Sequence, residues 1–251
     1  MCHDVDSHPP IAPIAGGALD SSELTLPSAD GNRFAAFRAM PDGPAAIGIA
    51  VLPDVRGLYH FYEELALRFA EHGYVAVAID YFGRTAGIAK RGDDFEYMEH
   101  VQQTKPGLIQ EDVGVAVRHL LALDCTALYT VGFCFGGRNS WLAAASGHGL
   151  NGAVGFYGHP GERNGVIGPT QRAADIEAPI LALQAGDDQN ITAVDNAQFD
   201  QALTEAAVEH EIVTYDGAPH SFFDRKQADF AEASADAWRR TLAFIEQHAG
   251  H

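Results

Sequence analysis

The sequence predicts an α/β protein built on one doubly wound, mostly parallel sheet with helices on both faces, entered through an antiparallel hairpin. Three observations carry this. Short apolar runs alternate with stretches of helical spacing from about residue 45 to the C-terminus. A chain of 251 residues suits one such domain. Its 47% hydrophobic and 20% charged residues match a packed core rather than a disordered chain.

Residues 1–20, rich in Pro, Gly and Asp, are expected to form an irregular arm, and residues 21–251 a single domain. Segments 23–27 and 33–40 flank Asp30-Gly31-Asn32, a turn signal, and read as the hairpin. Residues 45–52 (AAIGIAVL) form a continuous apolar run ending at Pro53, as a strand buried on both faces does. Residues 58–72 then show helical spacing at Leu58, Phe61, Tyr62, Leu65 and Phe69, with Gly73 as a stop. Residues 74–79 (YVAVAI) return to a strand, which completes a parallel crossover.

The unit repeats. A long polar connection, 80–107, has the length at which loops tend to be functional, and a lid is one role for it. Helix 108–123, strand 127–131, helix 137–146 and strand 152–157 follow. Strand 179–184, a helix near 193–207, a short strand 212–215 and a closing helix 228–248 end the chain.

Sixteen Lys plus Arg against thirty-four Asp plus Glu leave a net charge of −18. Nucleic acid and anionic membrane surfaces are excluded as partners, because both need clustered cations. A small anionic substrate is not, since one local arginine outweighs a distant field screened within about 10 Å. No apolar run reaches membrane-spanning length. Residues 1–13 carry Asp4 and Asp6 and lack a basic n-region, so no secretory signal is expected and a cytoplasmic location is. Cys2, Cys125 and Cys134 are odd in number and lack metal-ligand spacing, and the twelve histidines are scattered. No disulfide, metal or cofactor is therefore expected, and the chain is expected as a monomer or small homo-oligomer.

Chemistry concentrates in residues 130–137, TVGFCFGG. A strand running into a helix through Gly132-x-Cys134-x-Gly136 resembles the nucleophile elbow of α/β-hydrolases, with Cys in place of Ser. The spacing has a physical reason: the nucleophile sits on a sharp bend, and glycines two residues either side leave room for it. The helix N-terminus behind it favours a thiolate. The competing reading is a chance pattern around an inert, buried cysteine. Residues 181–192 (LALQAGDDQNIT) place Asp188, with Asp187 as the alternative, just past a strand. Residues 215–223 (YDGAPHSFF) place His220 in a loop before the last helix. Nucleophile, acid and histidine thus follow in the chain order of that fold.

With 132–137 (GFCFGG), 79–84 (IDYFGR), 154–158 (VGFYG), 186–192 and 218–222 (APHSF), the chain resembles the dienelactone hydrolase family, the carboxymethylenebutenolidases, from about residue 45 to the last helix. The resemblance implies opening of a dienelactone to maleylacetate, a step in the breakdown of chlorinated catechols. It carries over Cys134 as nucleophile, His220 as base and Asp188 as orienting acid. It further implies Val55 and Phe135 as N–H donors of the oxyanion hole, and Arg84 as the holder of a substrate carboxylate. Asp54 stands where the family has a glutamate that restrains the thiol, one methylene shorter. The family's second substrate arginine falls at Asp224, so Arg225, one residue on, is the candidate for that role.

A broader cysteine-dependent esterase or thioesterase is the alternative enzyme, and a non-catalytic ligand-binding protein on the same scaffold is the alternative class. For Arg84 the alternative is a surface pair with an acid such as Asp93 or Asp94. Cysteine itself favours an activated lactone, because an enolate leaves a thiolate adduct more readily than an ordinary alkoxide does.

Overall fold

In the computed structural model the described residues are 4, 6–14, 19–92 and 94–250. Cys2 and Asp93 lie outside them, as do other parts of the arm. Gly31, with φ +84°, makes the turn that joins β1 (Leu19–Pro27) to β2 (Arg33–Pro41). Their antiparallel register runs from Leu19↔Pro41 to Pro27↔Arg33. Pairing thus reaches Leu19, inside the stretch expected to be irregular.

The remaining elements are β3 (Ile47–Leu52), α1 (His60–Glu71), β4 (Val75–Ile79), α2 (Gly83–Ala86), α3 (Tyr97–Val101), α4 (Pro106–Leu121), β5 (Ala127–Phe133), α5 (Phe135–Ala144), β6 (Gly152–Phe156), β7 (Ile180–Asp187), α6 (Ala193–Glu205), β8 (His210–Pro219) and α7 (Ala231–His248). A 3-10 turn at Thr170–Asp175 was not signalled by periodicity. The sheet order is β1-β2-β4-β3-β5-β6-β7-β8. Strands β3 to β8 are parallel, and β2 joins β4 antiparallel.

Side chains alternate across the sheet. In β5, Tyr129, Val131 and Phe133 pack with Phe61, Tyr62, Phe69 and Trp238 beneath α1 and α7. Leu128 faces the other way, toward Val113, Ala116 and Leu120 of α4. Trp141 of α5 and Phe199 of α6 fill the far end of that second layer.

Two features position the site. The chain leaves β3 for β4 on one side and returns to β5 on the other, so a crevice opens at the C-terminal ends of β3 and β5. Strand β8 is longer than the sequence suggested. After an irregularity at Ala185/Asp187 it pairs Asp187 with Pro219, which sets Asp188 beside His220. The connection 80–107 is not bare loop. It carries α2 and α3 and is pinned by a buried ion pair, Arg91 Nη2 to Asp80 Oδ2 at 2.8 Å. Among the described residues no helix is long and apolar enough to cross a membrane.

Candidate active site

Cys134 bridges β5 and α5 with φ 54° and ψ −112°, a conformation non-glycine residues rarely adopt. Its backbone N–H donates to the Phe156 carbonyl at 2.9 Å. The flanking glycines make the bend possible. A Cβ on Gly132 would lie 2.0 Å from the Gly136 carbonyl oxygen, and one on Gly136 would lie 2.0 Å from that of Leu52. The same contact sets the first turn of α5 against the end of β3, where Pro53, Asp54 and Val55 follow. Phe135 opens α5, so its N–H is one of the helix donors without an intrahelical acceptor. Cys134 is half-buried. Cys125, by contrast, is sealed against α4, and burial, aided by Asp124, pushes its thiol up to about 11.

Asp188 and His220 come together from adjacent strand ends. His220 Nδ1 lies 2.5 Å from Asp188 Oδ2. The other carboxylate oxygen accepts from the backbone N–H groups of Asn190 (2.8 Å) and Ile191 (3.3 Å). Burial pulls the Asp188 carboxyl up, but the bonds from His220 and from Asn190 and Ile191 outweigh it, and its pKa falls below the ordinary 3.8. Asp187 is exposed and accepts only from Gln189 of its own turn among the hydrogen bonds described. Of the two acids the geometry therefore singles out Asp188.

Asp54 is fully buried at the end of β3. It orders its own loop. Its Oδ1 accepts from Arg56 N–H at 2.8 Å, its N–H donates to the Tyr62 hydroxyl at 3.0 Å, and the Tyr59 hydroxyl approaches Oδ2 at 3.4 Å. The buried Tyr81 hydroxyl donates to the Pro53 carbonyl at 2.9 Å. Its pKa is raised first by burial, then by the nearby carboxylates of Asp54 and Asp80.

Both arginines that the resemblance assigns to a substrate carboxylate have partners within the protein. Arg84 makes a two-pronged pair with the Asp112 carboxylate, one prong at 3.0 Å, and its Nε reaches Asp30 Oδ2 at 2.9 Å. Ser28 donates to the same Asp112. Among the described residues Asp112 and Asp30 are thus the acids that hold Arg84, rather than Asp94; the Asp93 alternative lies outside the described residues. Both acids keep the guanidinium charged against the cost of burial. Arg225 is exposed, and its guanidinium contacts only the Ile11 carbonyl, at 3.5 Å, among the described hydrogen bonds. Asp224, at the family's arginine position, is buried and accepts from the Ser7 hydroxyl at 2.6 Å.

Sequence reasoning passed over the tyrosines. Tyr157, fully buried with φ 38°, packs its ring 4.9 Å from that of His220. It sits at the end of β6, between the strands that carry Cys134 and Asp188. The signal was present in the strand-end sequence GFYG, but strand-end position does not tell a pocket tyrosine from a packing one.

A model of the dienelactone hydrolase family matches residues 34–249. The chain belongs to the dienelactone hydrolase family. It is 32% identical over 242 residues to a Yersinia pestis protein named "Putative carboxymethylenebutenolidase", covering 92% of this chain and 89% of that one. A carboxymethylenebutenolidase of Rhodococcus opacus is 29% identical over 255 residues, covering 99% and 97%. The crystal structure titled "Putative Dienelactone Hydrolase" from Klebsiella pneumoniae superposes with a TM-score of 0.81 at 29% identity, covering 92% of this chain and 99% of that one. The protein is accordingly a hydrolase with the α/β-hydrolase fold.

Proposed function

We propose that this dienelactone hydrolase family member opens an activated lactone of the dienelactone type through a Cys134–His220–Asp188 triad. The observation that carries this is the 2.5 Å His220–Asp188 pair at the ends of β7 and β8, on the same C-terminal edge of the sheet as a cysteine held in a strained bend at the end of β5. Asp188 fixes the Nδ1 tautomer of His220, leaving Nε2 to take the proton from the Cys134 thiol. The thiolate attacks the lactone carbonyl carbon. The negative charge that moves to the carbonyl oxygen meets the N–H groups of Phe135 and Val55, each worth about 3 kcal/mol in such a transition state. Collapse breaks the ring C–O bond and expels the enolate oxygen, which takes the proton held on His220 Nε2, and a thioester to Cys134 forms with the ring open and the imidazole neutral again. His220 then draws a proton from water, hydroxide adds to the thioester, and Cys134 leaves as the thiolate.

Recognition of a substrate carboxylate would fall to Arg84 or Arg225. At Arg84 the incoming anion competes with Asp30, the more exposed of its two acids. That engagement favours a second reading, a cysteine-dependent esterase or thioesterase that takes neutral esters. Purified protein assayed on a dienelactone and on p-nitrophenyl esters separates them. Turnover of the lactone by the wild type and none by Cys134→Ala is the result expected. Lactone turnover by Cys134→Ala would overturn the assignment.

A further inference from the structure

The arm is tied down more firmly than a segment without regular structure requires. Ser7 is fully buried, and its hydroxyl donates to Asp224, four residues past His220. Arg225 N–H donates to the His8 carbonyl at 3.0 Å, and Lys226 pairs with Asp6. The other side of the arm grips α1. His8 Nδ1 lies 2.9 Å from Glu64 Oε2, and its ring packs edge-on against His60 at 5.0 Å. Helix α1 begins directly after the loop of Asp54 and Val55. The arm therefore joins the two loops on which the proposed chemistry stands.

From this geometry we infer that Ser7 and His8 are positioning residues for His220, an inference that rests on the triad reading above. The His220 loop is anchored upstream where Pro219 pairs with Asp187. Immediately downstream, Ser221 is held in a left-handed conformation, φ 65°, and Phe222 is fixed through its carbonyl by Ser234. The next anchor is Asp224. Its buried carboxylate accepts from Ser7 and from Lys226 N–H. Without the Ser7 hydroxyl a buried carboxylate loses one of its donors, and the loop relieves this by carrying Asp224 toward water. That displacement is transmitted to the imidazole four residues away. His8 acts at the other end, keeping the arm seated on α1.

The test reads the Cys134 thiolate without any substrate. The rate of iodoacetamide alkylation at Cys134 is followed across pH, with the modified residue mapped by mass spectrometry, alongside the melting midpoint. His220→Ala sets the lower limit. Ser7→Ala is expected to slow alkylation near pH 7 by about fivefold, the effect of one lost hydrogen bond. Ser7→Thr restores the rate by keeping the hydroxyl. His8→Ala, a half-exposed position that leaves the fold intact, slows it about twofold. Wild-type rates in both alanine variants, with His220→Ala slow, would overturn the inference and spare the triad. An unaltered rate in His220→Ala would overturn the triad and the inference with it.

Discussion

Cys134 and Arg84 both stand just past the C-terminal end of a parallel strand, on neighbouring sides of β3. They are held in opposite ways. The conformation of Cys134 is imposed by its own backbone: a left-handed bend, a strand before it, a helix after it, and two glycines that no larger residue could replace. Arg84 takes its position from side chains far away in sequence, Asp30 in the hairpin turn and Asp112 in α4. A residue fixed by local sterics carries its role in a short motif. A residue fixed by distant ion pairs matches a motif equally well while its charge is directed elsewhere.

The largest effects test the first half of this contrast. Cys134→Ala should reduce lactone turnover to background with a melting midpoint close to that of the wild type, since the side chain is half-buried and the substitution removes a single sulfur atom at the edge of the core. Asp188→Asn should follow, lowering kcat by about three to four orders of magnitude because the imidazole tautomer is no longer fixed. The same variant gives a pH signature. The Asp188 pKa is depressed in the fold, so its contribution to stability is fully present above the ordinary value of 3.8 and is lost as pH falls through the lower folded value. The gap in melting midpoint between wild type and Asp188→Asn should be constant from neutral pH down to about 4 and close below it. A gap that widens on acidification would show that the carboxylate is not held ionised by His220 and the turn.

The same division explains what was legible in the sequence. Apolar runs marked the parallel strands, and the strand-end positions of Cys134, Asp188 and His220 were readable because each follows a strand in a chain order that the topology fixes. Strand β8 was cut short at 212–215 because its outer half is exposed and polar, so no apolar run marks it; backbone pairing with β7 extends it to Pro219. Helix α4 was expected from residue 108, but Pro106 serves as its first residue, where a missing N–H costs nothing. Neither the ion pairs of Arg84 nor the burial of Ser7 could be read, because both depend on residues tens to hundreds of positions apart meeting in space. Tyr157 lies between the cases: its place at a strand end was visible, its ring contact with His220 was not.

The second half of the contrast is tested by Arg84→Ala. Asp112 has a side chain 1% exposed, and removing its cation leaves a buried carboxylate with Ser28 as its remaining side-chain donor. The loss of stability should be about 3 kcal/mol, measured by urea unfolding. Asp112→Asn in the same background should recover part of it, because the stranded charge is then gone. If the role is structural, kcat/KM at a temperature where the variant is folded should change equally for anionic lactones and neutral esters. A loss confined to the anionic substrates would place the carboxylate on Arg84 after all and make its ion pairs a resting state.

The smallest effect belongs to Arg225. Its guanidinium is exposed and meets the Ile11 carbonyl at the outer limit of a hydrogen bond, while the contact that engages the arm is made by its backbone N–H. Arg225→Ala keeps that N–H. Stability should therefore shift by no more than about 0.5 kcal/mol, as for other surface substitutions. Kinetics should follow the same logic: kcat/KM on anionic and neutral substrates should stay within about twofold of wild type, since a solvated charge contributes little at a distance. Asp224 beside it would repel a substrate anion rather than help to hold one. A selective rise in KM for anionic lactones on Arg225→Ala would mean that this guanidinium swings from the arm to the substrate. The contrast between residues placed by backbone and residues placed by distant partners would then need a third category, side chains placed by the ligand itself.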